Sequence, residues 1–190
     1  KGKTSSEFSP AKLEPVFETE LLDVMQSKMV MSFKCSDKNS HAVRLMTAIF
    51  GATPFSKLFV NVREKMSLCY YCSSGINDKK GVVYVDSGVE HDNTEKAEAE
   101  IINQLNAMCS GDFTDEEIEN ARKAVINAWK GVNDGARSIA DWYFNQAYHG
   151  TSDSPEDRIE KIMKISRDEI IAAAKSLKLD TVYILSGKES

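Results

Sequence analysis

The stretch VREKMSLCYYCSS, residues 62–74, holds the residues of this chain whose types and spacing could do chemistry. Two of its cysteines, Cys69 and Cys72, have the C-x-x-C spacing that occurs in zinc sites and in redox centres. The same stretch contains an arginine and a tyrosine, Arg63 and Tyr70, which form an alternative pair of candidates. Choosing between the two pairs requires the secondary structure that positions them.

The two cysteines are predicted to be packing residues. On a regular strand, residues three apart point to opposite faces, so the thiols of Cys69 and Cys72 would diverge unless the strand contains a bulge. A tetrahedral zinc site needs two further ligands, and the sequence has no second C-x-x-C. Redox pairs usually begin a helix, where the helix dipole stabilises the thiolate. A metal or redox site stays open as the alternative, and all four cysteines are expected to be free thiols.

The histidines do not supply a metalloprotease signature. His41, His91 and His149 show neither H-E-x-x-H nor its inverse H-x-x-E-H. His91 lies in VEHD, which is better explained as the entry to a helix than as a metal site. The segment GVNDGARS, residues 131–138, lacks the glycine spacing of a nucleotide-binding loop and predicts a helix–helix turn.

Arg63 and Tyr70 are predicted to reach the same edge of a sheet. Arg63 falls near the end of a helix and Tyr70 near the start of a strand, with the short loop 66–68 between them. An arginine donates up to five hydrogen bonds and keeps its charge, and a tyrosine hydroxyl donates one. The pair could hold peptide carbonyl groups or a developing oxyanion. The alternative, an arginine on helix-end carbonyls beside a half-buried tyrosine, stays open on spacing alone.

Composition places the chain among soluble globular proteins. It has 190 residues, 42% of them hydrophobic and 28% charged. The formal net charge of −5 gives no support to nucleic-acid binding, and no apolar run is long enough to span a bilayer. Residues 1–14 are expected to be a linker without the apolar core of a signal peptide. Residues 15–190 are expected to form a single domain, and the expected location is the cytoplasm.

Apolar periodicity predicts an α+β fold. Strands are expected at 16–23, 28–35, 69–76, 81–90 and 181–187, and helices at 41–50, from Thr53-Pro54 to Lys65, and through most of 93–176. Asn93 is predicted to cap one helix, and the segments TDEE and SRDE match capping boxes. Short connections between strands favour antiparallel pairing. The predicted architecture is a two-layer sandwich, a mainly antiparallel sheet with helices packed on one face.

The segment from Ser56 to Ile101 resembles the C-terminal half of a subunit of the pitrilysin/insulinase family of metallopeptidases, which includes mitochondrial processing peptidase. It matches the pattern L-F-x-x-V-R-E-K-x-x-L-x-Y, followed by a strand, a turn and a glycine-led strand. The continuation SGVEHDN, residues 87–93, is similar to that of the YmfF-like bacterial branch.

The resemblance implies a role for Arg63 and Tyr70. In the family, the first half of an active subunit carries the zinc motif H-x-x-E-H and a distal glutamate. The second half supplies an arginine that holds the substrate backbone and a tyrosine that helps to stabilise the tetrahedral intermediate. Those two positions fall on Arg63 and Tyr70, which are not zinc ligands.

The zinc motif is absent from this sequence. The resemblance therefore implies no cofactor in this chain and zinc in a complementary N-terminal half or a sibling subunit, in a homo- or heterodimer acting on peptides. The chain alone is expected to be inactive. The alternative function is a non-catalytic structural or peptide-binding subunit of the same fold.

Overall fold

The alternating sequence of the second strand creates the two unlike faces of the sheet. In a computed structural model that describes residues 9–37 and 39–187, Met29, Met31, Phe33 and Cys35 all point into the core. The residues between them are half-buried or exposed, as the period of two predicts. Part of the predicted linker, residues 1–8, lies outside the described residues, whereas Lys12 donates its main-chain N–H to Asp180 at 3.1 Å.

The sheet has five strands in the order β1-β5-β2-β4-β3. All neighbouring strands are antiparallel except β1 and β5, which are parallel. Because β5 lies between them, the first two strands of the chain do not pair with each other. The strands are β1 Val16–Leu22, β2 Ser27–Cys35, β3 Cys69–Asn77, β4 Val82–Val89 and β5 Leu177–Gly187.

Helices cover one face of this sheet. The α-helices are α1 Ser40–Thr47, α2 Thr94–Ser110, α3 Asp115–Lys130, α4 Ala136–Tyr148, α5 Pro155–Met163 and α6 Arg167–Lys175. Two π-helical segments, Ala48–Ala52 and Leu58–Lys65, follow α1. The predicted capping boxes form at α3 and α6, and a further box opens α5. The predicted α+β sandwich is therefore confirmed, with its core between the sheet and the helices.

Four local predictions need correction. The helix expected from Thr53-Pro54 begins only near Leu58, because residues 53–56 form a turn that the Ser56 main-chain N–H closes onto the Thr53 carbonyl at 3.1 Å. The Asn93 side chain does not cap α2, because a 3-10 turn at His91–Asn93 precedes that helix. Helical spacing from Ile118 predicts that Ala128 lies on the buried face of its helix, but Ala128 is exposed and Trp129 beside it is buried instead. The last strand starts at Leu177, four residues before the predicted start.

Helix lengths also bear on membrane insertion. Within residues 9–37 and 39–187, no helix is long and apolar enough to span a bilayer.

Candidate functional site

Arg63 is fixed in place by the π-helical segment Leu58–Lys65. Leu58 and Val62 are fully buried and hold this segment against the core. The Arg63 guanidinium carbon lies 4.6 Å from the centroid of the Phe59 ring, within cation–π range. Its Nε donates a hydrogen bond to the main-chain carbonyl oxygen of Tyr70 at 2.9 Å. The side chain therefore bridges the end of the helical segment and the start of β3.

The connection between Arg63 and Tyr70 is a tight turn. The main-chain N–H of Leu68 donates to the carbonyl oxygen of Val62 at 3.1 Å, and the Leu68 side chain is buried. Ser67 has a φ of 51°, in the left-handed region that non-glycine residues adopt infrequently. The chain thus reverses within a few residues, which is why two side chains seven positions apart share one edge of the sheet.

The hydroxyl group of Tyr70 is engaged by a carboxylate. It donates to Oε1 of Glu90 at 2.8 Å, while the tyrosine side chain remains about half exposed. The hydrogen bond to Glu90, partial burial and the negative charge of Glu90 together raise the pKa of Tyr70. The phenol is therefore protonated at neutral pH.

Glu90 is a member of the site that sequence reasoning missed. It follows β4 directly, and β4 pairs with β3 so that Val89 lies opposite Cys69. This antiparallel register brings residue 90 to the same edge as Tyr70. A predicted β3–β4 hairpin with its register would have been the signal, but the acidic residues in VEHD were assigned only to helix entry.

Around these residues is an open cleft of about 350 Å³. Its lining includes Arg63, Glu64, Cys69, Tyr70 and Glu90. Nη1 of Arg63 lies 3.4 Å from Oε1 of Glu64, so the guanidinium faces the Glu64 carboxylate in the lining of the cleft. The cleft therefore places the charged donor groups of Arg63 beside carboxylate acceptors.

The C-x-x-C pair differs from the sequence-based expectation in geometry. A register shift between Cys69 and Tyr71 marks a bulge in β3, and both Cys69 and Cys72 are consequently buried on the core side. Their thiols hydrogen-bond each other, which raises the pKa of Cys72 and, with the positive charge of Arg63, lowers that of Cys69. The thiols therefore do not diverge as they would on a regular strand, because the bulge, the exception that the prediction allowed, adds a residue to β3. Both are free cysteines in the core cluster.

Metal ligands do not converge anywhere in the described part of the chain. Within it, no group of three or more histidine, cysteine or acidic side chains could hold an ion. His91 is close to Ser186, with 2.7 Å between Nδ1 and Oγ, and His41 packs edge-on against Trp129. The described residues of this chain therefore do not form a zinc site. The resemblance implies zinc in a complementary half.

The fold and this edge of the sheet define a class of protein. Residues 2–125 match the family described as Peptidase M16 inactive domain, so the chain belongs to that family. The matched segment contains the helical segment, the turn and the β-hairpin that carry Arg63, Tyr70 and Glu90.

Individual relatives agree with this assignment. The chain is 32% identical over 192 residues to the "Probable inactive metalloprotease YmfF" of Bacillus subtilis, covering 99% of this chain and 45% of the relative. An "Uncharacterized zinc protease" of Rickettsia bellii is 29% identical, with 90% of this chain and 43% of that protein covered. The crystal structure of a conserved protein from Enterococcus faecalis superposes with a TM-score of 0.88 at 29% identity, covering 96% of this chain and 44% of that one.

The chain thus spans less than half the length of these bacterial relatives. The predicted resemblance and fold class are confirmed.

Proposed function

We propose that this chain is the substrate-binding, non-zinc half of a metalloendopeptidase-like protein. In this proposal Arg63 and Tyr70 hold the main chain of a peptide in a cleft that a complementary half completes. That half, in the same polypeptide or in a sibling subunit of a homo- or heterodimer, would carry the zinc. The proposed compartment remains the cytoplasm.

The observation that carries this proposal is the Arg63–Tyr70 contact. Because Nε of Arg63 is fixed on the Tyr70 carbonyl at 2.9 Å, the guanidinium is oriented before any ligand arrives. Preorganised donors of this kind bind a carbonyl or carboxylate oxygen without a further loss of side-chain entropy. The Glu90 carboxylate can in turn accept a peptide N–H.

A second candidate is peptide binding without catalysis, and one contact favours it. The Tyr70 O–H already donates to Glu90, so it is not free to donate to an oxyanion. An oxyanion at that position would also lie close to the Glu90 carboxylate and be repelled by it. Glu90 would have to move or be protonated before Tyr70 could stabilise a tetrahedral intermediate.

Both candidates can be tested in the complete protein, assembled with a sibling that carries the zinc motif. Cleavage of a quenched peptide library would be measured for the wild type, Arg63→Gln and Tyr70→Phe. Tyr71→Phe is the matched control, because Tyr71 also donates its hydroxyl to a carboxylate, that of Asp86 at 3.1 Å, but does not line the cleft.

The substrate-binding role predicts that Arg63→Gln and Tyr70→Phe slow cleavage at least about tenfold while Tyr71→Phe does not. Wild-type cleavage in both cleft variants would refute it. If the assembled protein binds the library without cleaving it and Arg63→Gln weakens that binding, the non-catalytic candidate is correct.

A further inference from the structure

A second polar pocket lies away from the Arg63–Tyr70 cleft. It is formed by side chains from α1, α4, α5 and the turn between β3 and β4, and its volume is about 240 Å³. Its lining includes Arg44, Asp78, Trp142, Gln146, Thr151 and Arg158. None of these residues lines the Arg63–Tyr70 cleft.

Arg158 is held firmly in this pocket, yet one of its donor atoms, Nε, lacks a hydrogen-bond partner among the described residues. The guanidinium carbon lies 4.9 Å from the centroid of the Trp142 ring, and the side chain is 17% exposed. This Nε is inaccessible to solvent. Oδ2 of Asp153 forms an ion pair with Nε at 3.8 Å, beyond hydrogen-bond distance, and Oδ1 of Asp153 accepts from Lys161 at 2.7 Å. A buried charged donor without a partner is costly to the folded state.

A second guanidinium adds to the positive potential. Arg44 donates from Nη2 to Asp78 at 3.2 Å and lies close enough to Arg158 that, after burial, its charge is the main cause lowering the pKa of Arg158. Burial and the charges of Arg158 and Lys161 likewise lower the pKa of His41 next to the pocket. Asp153 acts in the opposite direction on both groups, and Asp78 does so on Arg158.

The balance of charges in the lining points to an anion. Arg44, Lys79 and Arg158 contribute positive charge, and Asp78 is the one acidic side chain among the described lining residues. Neutral donors are also present, because Gln146 is buried and its Oε1 accepts from the Thr151 hydroxyl, which leaves the amide nitrogen as a donor. The volume is below that of pockets for drug-sized ligands, so the fitting ligand is small.

We propose that this pocket binds a small oxyanion, a carboxylate or a phosphate group, through the guanidinium groups of Arg158 and Arg44. Arginine presents parallel N–H groups that match the two oxygens of such an anion. The indole of Trp142 fixes the plane of the Arg158 guanidinium. The anion would contact its terminal N–H groups, because Nε is inaccessible from the pocket. This inference does not depend on the proposed peptide-binding function.

The test is titration calorimetry of the purified chain with orthophosphate and, separately, with succinate. A dissociation constant of roughly 1 mM or tighter is expected for at least one of them. Fluorescence gives a second readout, because Trp129→Phe leaves Trp142 as the chain's remaining tryptophan. The fluorescence emission of Trp142 should change as the anion is added, with the same midpoint concentration as the heat of binding.

Variants decide where the anion binds. Arg158→Gln and Arg44→Gln should each weaken binding at least about tenfold. The matched control is Arg137→Gln on α4, whose side chain is 95% exposed and pairs with Asp141 at 3.7 Å. It removes the same charge outside the pocket and should leave binding unchanged. If Arg158→Gln lowers the melting temperature so strongly that the chain does not fold, Arg44→Gln alone tests whether the anion binds in this pocket.

Each outcome has a definite meaning. Binding of phosphate alone or of succinate alone supports the site and identifies the group it prefers, and binding of both supports a general oxyanion site. Absence of binding to either anion overturns the proposal. Wild-type affinity in both pocket variants, or an equal loss in Arg137→Gln, also overturns it.

Discussion

Nε of Arg63 donates to the main-chain carbonyl oxygen of Tyr70 at 2.9 Å, and this one bond aligns the two side chains at the edge of the sheet. Because the bond uses Nε, the terminal N–H groups of the guanidinium stay available, with Nη1 held 3.4 Å from Glu64. An ammonium group carries its three donors on a single nitrogen, so it cannot bond the Tyr70 carbonyl and also present a planar pair of donors elsewhere.

Arg63→Lys is therefore expected to weaken binding of a peptide to the assembled protein about tenfold or more. The free energy of unfolding should fall by less than about 1 kcal/mol, since the contacts of Arg63 are partly exposed. Peptide binding can be measured by fluorescence anisotropy and unfolding by urea titration. Arg137→Lys is the exposed control. A large loss of stability with unchanged affinity would make Arg63 a structural residue only.

The hydrogen bond from Tyr70 to Glu90 predicts a measurable titration. The pKa of the Tyr70 hydroxyl is raised in the folded protein. The contact with Glu90 therefore stabilises the fold fully at pH values below the ordinary tyrosine pKa, and this contribution is lost as pH rises through the raised pKa. The difference in tyrosinate absorbance between wild type and Tyr70→Phe should show one phenol that titrates late.

Glu90→Gln tests the cause of that shift. Removing the negative charge should return the pKa of Tyr70 towards its ordinary value of about 10. This pKa is measured by the same absorbance titration, as the difference between Glu90→Gln and the double variant Glu90→Gln/Tyr70→Phe. An unchanged late titration would show that the carboxylate is not responsible.

The two cysteines should differ in reactivity. The hydrogen bond from Cys72, and Arg63 after it, lowers the pKa of Cys69, whereas the same bond and burial raise the pKa of Cys72. Partial alkylation at neutral pH, followed by mass spectrometry, should find Cys69 modified before Cys72. Arg63→Gln should slow alkylation of Cys69. Equal labelling of both thiols would contradict this ordering.

Gly51 is predicted to be essential for packing the helical segments against β3. A Cβ at this position would lie 2.6 Å from Leu58 Cδ1 and 2.8 Å from the main-chain nitrogen of Ser74, which cannot move without distorting the sheet. Gly51→Ala should cost about 1–3 kcal/mol of unfolding free energy. Gly131→Ala is the control, because Gly131 has a helical φ of −62° and a Cβ there would meet Asp134 Oδ2 at an ordinary contact distance of 3.7 Å. Equal stability of the two variants in urea would refute the packing argument.

Local patterns in the sequence predicted most of the fold. The alternation in β2 identified the core face, because a strand buried on one side must alternate. The capping boxes at Thr114 and Ser166 fixed two helix starts, because each satisfies main-chain N–H groups within four consecutive residues. Patterns of this kind involve only residues that are close in sequence, so they can be recognised without knowledge of the tertiary structure.

The errors come from contacts that depend on tertiary packing. The bulge that turns Cys69 and Cys72 to one face is visible only in the register of β3 against β4. The Glu90 contact with Tyr70 needs the same register, over 20 positions of sequence. The proximity of Arg63 and Tyr70 was predictable because the turn between them is short, whereas the bond from Nε to a main-chain oxygen was not.

The position of β5 has a consequence for how the protein forms on the ribosome. β5 lies between β1 and β2, so Val16 pairs with Thr181 and Lys28 with Leu185. Neither early strand can acquire this neighbour until residues 177–187 have left the exit tunnel. Until then β1 lacks β5, the strand with which it pairs, and one edge of β2 stays open, a state that favours pairing with other nascent chains. Pairings so distant in sequence also make folding slow relative to helix formation. Synthesis of this domain should therefore depend on chaperones that shield strand edges during translation.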